Sequence, residues 1–262
     1  MIYISTNMFH ALNLEKVYQI VDSVDFDLGI EIFPMFHIPG YQELLEKNRD
    51  KLKKYPLTFH EPYYKTDHSY LEGDVFFTTK DYYEKLLSFQ DLKPKYIVYH
   101  YNNRKIQDRD QMLAAAHKNL DYLSQASSAP LLIENVGVES RENVLFNQEE
   151  FIEECLHRKE HVLIDIGHAN ANAWDLDQLL SALKGKIKSY HLHTNDGCHD
   201  LHQSIFKGGM TPDIEATIDR IKKYTPEADL VLEYGKDYDE EIPQVIEDVK
   251  RLYGLWTNWN IA

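Results

Sequence analysis

Residues 161–193, HVLIDIGHANANAWDLDQLLSALKGKIKSYHLH, hold two short apolar runs on either side of a stretch with a helical pattern. The runs HVLIDI at 161–166 and IKSYHLH at 187–193 have the length of strands, and a helix is predicted between them over 174–183. A strand, a helix and a second strand in this order are typical of one unit of a parallel sheet. The stretch therefore predicts an α/β fold.

The same alternation continues in both directions along the chain. Six further candidate strands are IYIS at 2–5, LGIEIF at 28–33, PLTFH at 56–60, KYIVYH at 95–100, PLLIEN at 130–135 and DLVLEY at 229–234. Further helices are predicted over 13–22, 41–54, 79–89, 108–124, 147–157, 212–224 and 242–253. Eight units of this kind predict a single (β/α)8 TIM barrel that forms one domain over residues 1–262.

An open, doubly wound sheet is the alternative architecture for such an alternation. In that fold the first strand usually leads into a glycine-rich phosphate turn. Here STNMF follows the first strand instead. Most of the candidate strands are apolar on both faces, as parallel strands covered on both sides are. Barrel closure is therefore the preferred prediction.

The composition excludes several classes of protein. The two cysteines, Cys155 and Cys198, are too few for a disulfide framework or a cysteine-type zinc cluster. The formal net charge of −15 disfavours a nucleic acid partner, because such proteins usually present a basic face. No apolar run approaches 18 residues and no secretion signal opens the chain, so we expect a cytoplasmic protein with no membrane partner.

Polar residues close nearly every candidate strand, at the end where a barrel carries its active site. They are Glu31, His60, Glu61, His100, Glu134, Asn135, Asp165, His168, His191, His193, Asp196, Asp200, His202 and Glu233. A lone polar residue at such a place is usually a solvated strand end. Converging carboxylates, however, are costly to bury unless cations offset their repulsion. Imidazole and carboxylate without thiolate suit Zn²⁺, Mn²⁺, Fe²⁺ or Co²⁺, so the pattern predicts a divalent metal site.

Other residues near the predicted mouth have weaker claims to a role. Three loop histidines could touch a substrate, although a solvated histidine is the preferred interpretation: His10, His37 and His68. His191 is as well explained by a place inside the barrel as by metal ligation. Tyr63, Tyr64 and Trp174 could form an apolar wall or simply pack. Four basic residues could hold a phosphate group: Lys65, Arg104, Lys207 and Lys236.

The runs LLIENVG, VLIDIGHANANAWD, SYHLHTNDGCHDLH and LVLEYG together resemble the xylose isomerase-like barrel superfamily. It includes sugar-phosphate isomerases and epimerases and apurinic/apyrimidinic endonuclease IV, and the resemblance spans strands two to eight. The isomerase and epimerase branch implies one ion held by Glu134, Asp165, His193 and Glu233. The endonuclease IV branch implies three zinc ions held by nine residues, which correspond here to His60, His100, Glu134, Asp165, His168, His193, Asp200, His202 and Glu233.

The resemblance implies a metal-dependent isomerase or epimerase of a small sugar, keto-sugar or sugar phosphate, with a role in carbohydrate metabolism. Glu134 and Glu233 would be its catalytic acid/base pair, acting through an enediolate, and one to three Zn²⁺ or Mn²⁺ ions its cofactors. A trinuclear-zinc phosphodiesterase or phosphatase is the alternative, and the charge of −15 then favours a small phosphorylated substrate over DNA. Lyase or dehydratase chemistry, a non-catalytic metal-binding barrel and assembly into a homo-oligomer are left open.

Overall fold

The eight apolar runs form eight parallel strands in the computed structural model, which describes residues 1–258. The strands are β1 (Ile2–Ser5), β2 (Leu28–Ile32), β3 (Leu57–Phe59), β4 (Ile97–Tyr99), β5 (Leu131–Glu134), β6 (His161–Asp165), β7 (Ile187–Leu192) and β8 (Asp229–Leu232). Each strand pairs with the next, and β1 pairs with β8 at Ile2 and Leu230, so the barrel closes. The predicted (β/α)8 TIM barrel is confirmed.

The prediction of one domain over 1–262 stays a prediction, since residues 259–262 lie outside the described part. Nine α-helices occur within residues 1–258: α1 (Glu15–Val21), α2 (Tyr41–Leu52), α3 (Gly73–Leu87), α4 (Arg109–Ala126), α5 (Gln148–His157), α6 (Ile166–Ala171), α7 (Leu176–Leu183), α8 (Ile214–Tyr224) and α9 (Ile242–Thr257). Within that same part, no helix has the length and apolar character needed to cross a membrane.

Side-chain caps explain where several helices begin. Asn147 and Glu150 form a reciprocal capping box at the start of α5, and Asp108, Asp175 and Asp213 cap α4, α7 and α8. Each cap satisfies a backbone N–H that has no partner within its helix. These starts lie within about two residues of the predicted ones.

Two helices differ from the prediction. The predicted start of α3 at Thr79, with Thr78 or Thr79 as its cap, is wrong, because the helix begins at Gly73. The Thr79 hydroxyl donates to the Val75 carbonyl at 2.8 Å and accepts from the Asp67 N–H at 2.9 Å. The short helix α6 was not predicted, and it begins directly after β6 with the Asp165 carboxylate as its cap.

A small apolar cluster lies inside the barrel, separate from the larger core between the strands and the helices. Its members are Tyr96, Val98, Leu132 and Leu163. Successive strand side chains alternate between the two faces, so residues two apart share a face. His100, Glu134 and Asp165 each follow a member of this cluster by two positions, and they therefore point into the barrel at its C-terminal end. The apolar cluster closes the barrel beneath them.

Candidate metal centre

A cavity of about 560 Å³ opens at the C-terminal ends of the strands, which we call the mouth. Its size is typical of a small-molecule site. The nine residues of the predicted ligand set, here named the mouth cluster, are His60, His100, Glu134, Asp165, His168, His193, Asp200, His202 and Glu233. All of them except Asp165 and His193 line the cavity, and those two are buried beside the others. The predicted strand ends therefore converge on one site.

The donor atoms of the mouth cluster, together with those of His191, fall into overlapping groups, each compact enough for one ion. The groups are His168, His193, Asp200 and His202; His60, His100 and Glu134; Glu134, Asp165 and His168; and His60, His191 and Glu233. Glu134, His60 and His168 each belong to two groups. Of these three, only the Glu134 carboxylate, with its two oxygens, could bridge neighbouring ions, because each histidine has one ligating nitrogen when its other nitrogen binds a backbone carbonyl. The expected one-ion set of Glu134, Asp165, His193 and Glu233 is divided among these groups.

Four histidines of the cluster hold their rings in the same way. The Nδ1 atoms of His60, His168 and His202 lie 2.8, 3.1 and 2.8 Å from the backbone carbonyls of residues 61, 135 and 233. Nδ1 of His100 lies 2.8 Å from the side-chain oxygen of Asn103. An Nδ1–H that donates to such an acceptor leaves the Nε2 lone pair available, as in most histidines that bind metals.

These Nε2 atoms point at carboxylates across the mouth. His100 Nε2 lies 2.9 Å from Oε2 of Glu134, and His202 Nε2 lies 3.0 Å from Oδ1 of Asp200. His193 Nε2 lies 3.1 Å from both oxygens of Asp165. The imidazoles thus lie where they can neutralise the buried carboxylates.

Backbone contacts fix the ligand positions around β6. The Asp165 N–H donates to the Asn135 side chain at 2.7 Å, and the Asn135 amide donates back to the Asp165 carbonyl at 2.9 Å. A side chain at Gly167 would place its Cβ only 1.9 Å from the His193 ring. Glycine is therefore required there for His193 to keep its place beside Asp165.

Electrostatics in the mouth favour the charged forms of several groups, whereas burial lowers the pKa of His60. Burial opposes protonation of His100, but Glu134 and Glu61 outweigh it and raise its pKa to about 9. For His202, burial is likewise outweighed, mainly by Asp200, and its pKa rises to about 10. Burial opposes ionisation of Glu134, yet His100 and His191 hold its pKa well below the usual range. Binding of a divalent ion would displace protons from such histidines.

The surroundings of the Asp200 carboxylate indicate whether the residues of the site suit a metal ion. Its Oδ1 is buried and accepts no well-aligned hydrogen bond from any residue in the described part of the chain. Around this oxygen lie the Nε2 atoms of His202, His168 and His193, at 3.0, 3.5 and 3.9 Å. Three imidazole nitrogens around one carboxylate oxygen form a donor set that suits Zn²⁺, so the residues present fit a divalent ion.

A layer of buried polar side chains lies behind the mouth cluster, and the sequence predicts only part of it. His68, expected to be solvated, is instead buried, with its Nε2 2.7 Å from Glu61. Glu61 also accepts from the Asn103 amide at 2.8 Å, and Asn103 in turn holds His100. His191 lies wholly inside the barrel, with its Nε2 3.1 Å from Glu31. These contacts join distant loops, so no local pattern reveals them.

Of the residues with weaker claims to a role, some line the cavity and others do not. Tyr63, Tyr64 and Lys236 line the cavity, but Trp174 does not and packs against Phe151 instead. Of the two interpretations left open for Trp174, packing is therefore the one that the structure supports. Several predicted or neighbouring groups lie outside the lining: Lys65, Arg104, Lys207, Asp196, His199 and His10. Sequence reasoning missed Arg141, which lines the cavity and pairs with Asp200 at 2.8 Å.

Known proteins match this chain by structure. Neither a family model nor a curated protein sequence matches it. The IolI protein with a bound zinc atom has a TM-score of 0.76 at 16% identity, over 100% of this chain and 99% of that one. D-psicose 3-epimerase with D-tagatose, from Clostridium cellulolyticum H10, has a TM-score of 0.72 at 14% identity, over 96% and 98%.

A xylose isomerase domain containing protein from Salmonella typhimurium LT2 has a TM-score of 0.71 at 11% identity, over 97% of this chain and 96% of that chain. Identities this low establish the fold alone. The alignments cover nearly the whole of each chain, so the similarity concerns the complete barrel. The chain has the fold of the xylose isomerase-like TIM barrel proteins, as its strand-end motifs predicted.

Proposed function

We propose that this chain is a metal-dependent isomerase or epimerase of a small sugar, keto-sugar or sugar phosphate. The supporting observation is the convergence of oriented imidazole nitrogens and buried carboxylates on the floor of a sugar-sized cavity. Proteins of the same fold include D-psicose 3-epimerase with D-tagatose and the IolI protein with zinc. A bound Zn²⁺ or Mn²⁺, in one to three copies held by the mouth cluster, would polarise the substrate carbonyl as a Lewis acid.

Glu134 and Glu233 are the proposed acid/base pair. They extend from β5 and β8, and both line the cavity. Their carboxylates lie 3.5 and 3.1 Å from the same atom, Nδ1 of His191, so the two groups are close neighbours on the cavity floor. One carboxylate would remove the proton next to the carbonyl to give an enediolate, and the other would return a proton to it.

Asn7 and Lys236 suit the binding of the rest of a sugar. The Asn7 amide donates to Glu233 Oε1 at 3.3 Å and also lines the cavity, where it can meet a hydroxyl. Lys236 lines the cavity with its Nζ 5.2 Å from the centre of the Tyr64 ring, and it forms no ion pair among residues 1–258. A phosphate or another anionic group on the substrate would provide a partner for Lys236.

Proton exchange at carbon tests this proposal. The metal-loaded protein is incubated in D₂O with D-psicose, D-tagatose, L-ribulose and their phosphates, and the products are examined by NMR and mass spectrometry. We expect one of these substrates to gain deuterium at the carbon beside the carbonyl and to yield its isomer or epimer. Complete absence of exchange across a broad set of ketoses would contradict the proposal.

Hydrolysis of a small phosphoester is a second candidate, favoured by one observation. The mouth cluster, together with His191, forms more ion-sized groups than a one-ion isomerase needs, and the Glu134 carboxylate belongs to two of them. Neighbouring ions in such a centre can activate water and stabilise the leaving oxygen. About three Zn²⁺ per chain, with release of phosphate from a sugar phosphate or cleavage of a phosphodiester, would replace the first proposal by this one.

A further inference from the structure

Arg141 connects two loops that rise from different strands. It belongs to a short 3-10 turn at Glu139–Arg141, in the loop after β5, whereas Asp200 lies in the loop after β7. The Arg141 guanidinium contacts the Asp200 carboxylate at Oδ2 (2.8 Å) and the Asp200 backbone carbonyl (3.3 Å). Beside it, the Ser140 hydroxyl donates to the Cys198 carbonyl at 2.9 Å. The first loop thus holds the second at both residues.

The two oxygens of Asp200 have separate surroundings. Oδ2 forms an ion pair with Arg141, while Oδ1 faces the Nε2 atoms of His168, His193 and His202. A carboxylate held at one oxygen cannot rotate freely about its last bond. The contact with Arg141 therefore keeps Oδ1 aimed at the space between the three imidazoles.

Arg141 differs from the other Lys and Arg side chains in its distance from the carboxylates of the mouth cluster. Among residues 1–258, it is the only Lys or Arg within 4.0 Å of any carboxylate in the mouth cluster. Its own side chain is 48% exposed, but that of Asp200 is only 5% exposed. Pairs between two exposed side chains contribute little, whereas Asp200 is buried and the same guanidinium contacts both its carboxylate and its backbone carbonyl, which holds the residue more firmly.

We propose that Arg141 is a positioning residue that holds Asp200 ready for an ion bound by His168, His193, Asp200 and His202. The proposal rests on the proposed function only in requiring that the mouth binds a metal. Residues that orient a metal ligand typically change metal affinity by about 10- to 100-fold when they are removed. An ion held by Glu134 with His60 and His100 involves no contact with Arg141, so its binding should be little affected.

The competing role for Arg141 is direct contact with an anionic substrate, since it also lines the cavity. Its contacts to Asp200 use one N–H at each terminal nitrogen, Nη1 and Nη2, so the remaining N–H groups can still meet a substrate. Positioning of Asp200 alters metal binding without substrate, whereas contact with a substrate alters KM at an unchanged metal content. The two roles are therefore separable by experiment.

Zn²⁺ titration of the full chain, stripped of metal, tests the proposal. We compare the wild type with Arg141→Met, Arg141→Lys and a matched control, Arg220→Met, which removes an ion pair with Asp177 between α7 and α8. We expect Arg141→Met to weaken one class of Zn²⁺ site by about 10- to 100-fold and Arg141→Lys to recover part of this loss. Arg220→Met should bind as the wild type does, and Co²⁺ absorption should report the altered site independently.

Wild-type Zn²⁺ affinities in Arg141→Met, with only a raised KM, would overturn the proposal in favour of substrate contact. An equal loss in Arg220→Met would also overturn it, because the effect would then reflect general destabilisation. A wild-type chain that binds no divalent ion would refute both this inference and the proposed function. If the wild type binds Zn²⁺ and Arg141→Met binds it with the same affinity, this inference alone would be refuted.

Discussion

At the N-terminal ends of the strands, which we call the base, the buried Asp229 pairs with Lys95 Nζ at 2.6 Å and with the Met1 amino group at 3.3 Å. At the mouth, the four buried carboxylates of the mouth cluster face histidines. Among residues 1–258, Arg141 is the only Lys or Arg within 4.0 Å of any of them. Ammonium groups therefore neutralise the buried charge at the base. Exchangeable protons on imidazole do so at the mouth, where a metal ion can replace them.

This contrast agrees with the division of labour in (β/α)8 barrels, where the base supports stability and the mouth carries function. It predicts that substitutions at the two ends affect different properties of the protein. Changes at the mouth should alter chemistry and metal binding, and changes at the base should alter the free energy of unfolding alone.

Glu134→Gln should give the largest effect. It removes a proposed proton carrier and a ligand shared by two ion-sized groups, so we expect kcat to fall by at least about 10²–10⁴-fold. Steady-state kinetics on the substrate identified by deuterium exchange measures this. Glu139→Gln, on the exposed loop after β5, is the matched control and should retain activity. A fully active Glu134→Gln would remove Glu134 from the site.

The free energy of unfolding of the metal-stripped protein should depend on pH through the protonated histidines of the mouth. His100 and His202 have pKa values raised to about 9 and about 10, from about 6.5 in the unfolded chain. Stability from their protonated forms is complete below about pH 6.5 and is lost as pH rises through these values. Urea unfolding at pH 7, 8.5 and 10 should show declining stability, with a smaller decline in His202→Gln. Equal declines in both proteins would contradict the charge arrangement at the mouth.

Gly167→Ala should disturb the mouth by steric means. The added Cβ would overlap the His193 ring, so we expect a loss of about 1–3 kcal/mol in unfolding free energy and weaker Zn²⁺ binding. Gly185→Ala is the matched control, because its Cβ would meet no atom within 4 Å among the described residues. Thermal unfolding with and without Zn²⁺ measures both effects. Wild-type Zn²⁺ affinity in Gly167→Ala would show that His193 is not a ligand.

Asp229→Asn should give the smallest effect on function. It removes the charge that binds Lys95 and the amino terminus, so we expect a loss of about 1–2 kcal/mol in unfolding free energy. Metal content and kcat should stay at wild-type values, in contrast to Glu134→Gln. Asp25→Asn, an exposed carboxylate, serves as control. A loss of bound metal in Asp229→Asn would end the distinction between the two ends.

The sequence predicted the barrel well, because apolar runs and their spacing are local properties of the chain. All eight strands occur where they were expected, although several are shorter, since end residues such as His60 and His100 turn towards the mouth. The sequence does not reveal helix α6, because Asp165 both ends strand β6 and caps the helix that follows at once, with no loop between them. The early start of α3 was missed because the hydrogen bonds of Thr79 reach the distant Asp67.

The candidate site was predictable in its residues but less so in its contacts. Strand-end positions and the family resemblance named the nine residues that the fold brings together. Sequence could not give the pairing of His68 with Glu61 or of Arg141 with Asp200, because these contacts cross between loops. Burial of His68 and alignment of Arg141 depend on tertiary packing, which leaves no periodic pattern in the chain.

Metal content is the most direct test of a metal-dependent mouth. The full chain is purified without chelator, supplied with Zn²⁺ or Mn²⁺, freed of unbound ions, and measured by inductively coupled plasma mass spectrometry beside Glu134→Gln and Asp229→Asn. We predict one to three ions per wild-type chain, fewer in Glu134→Gln and an unchanged number in Asp229→Asn. A wild-type chain that retains no divalent ion while remaining folded would contradict the account.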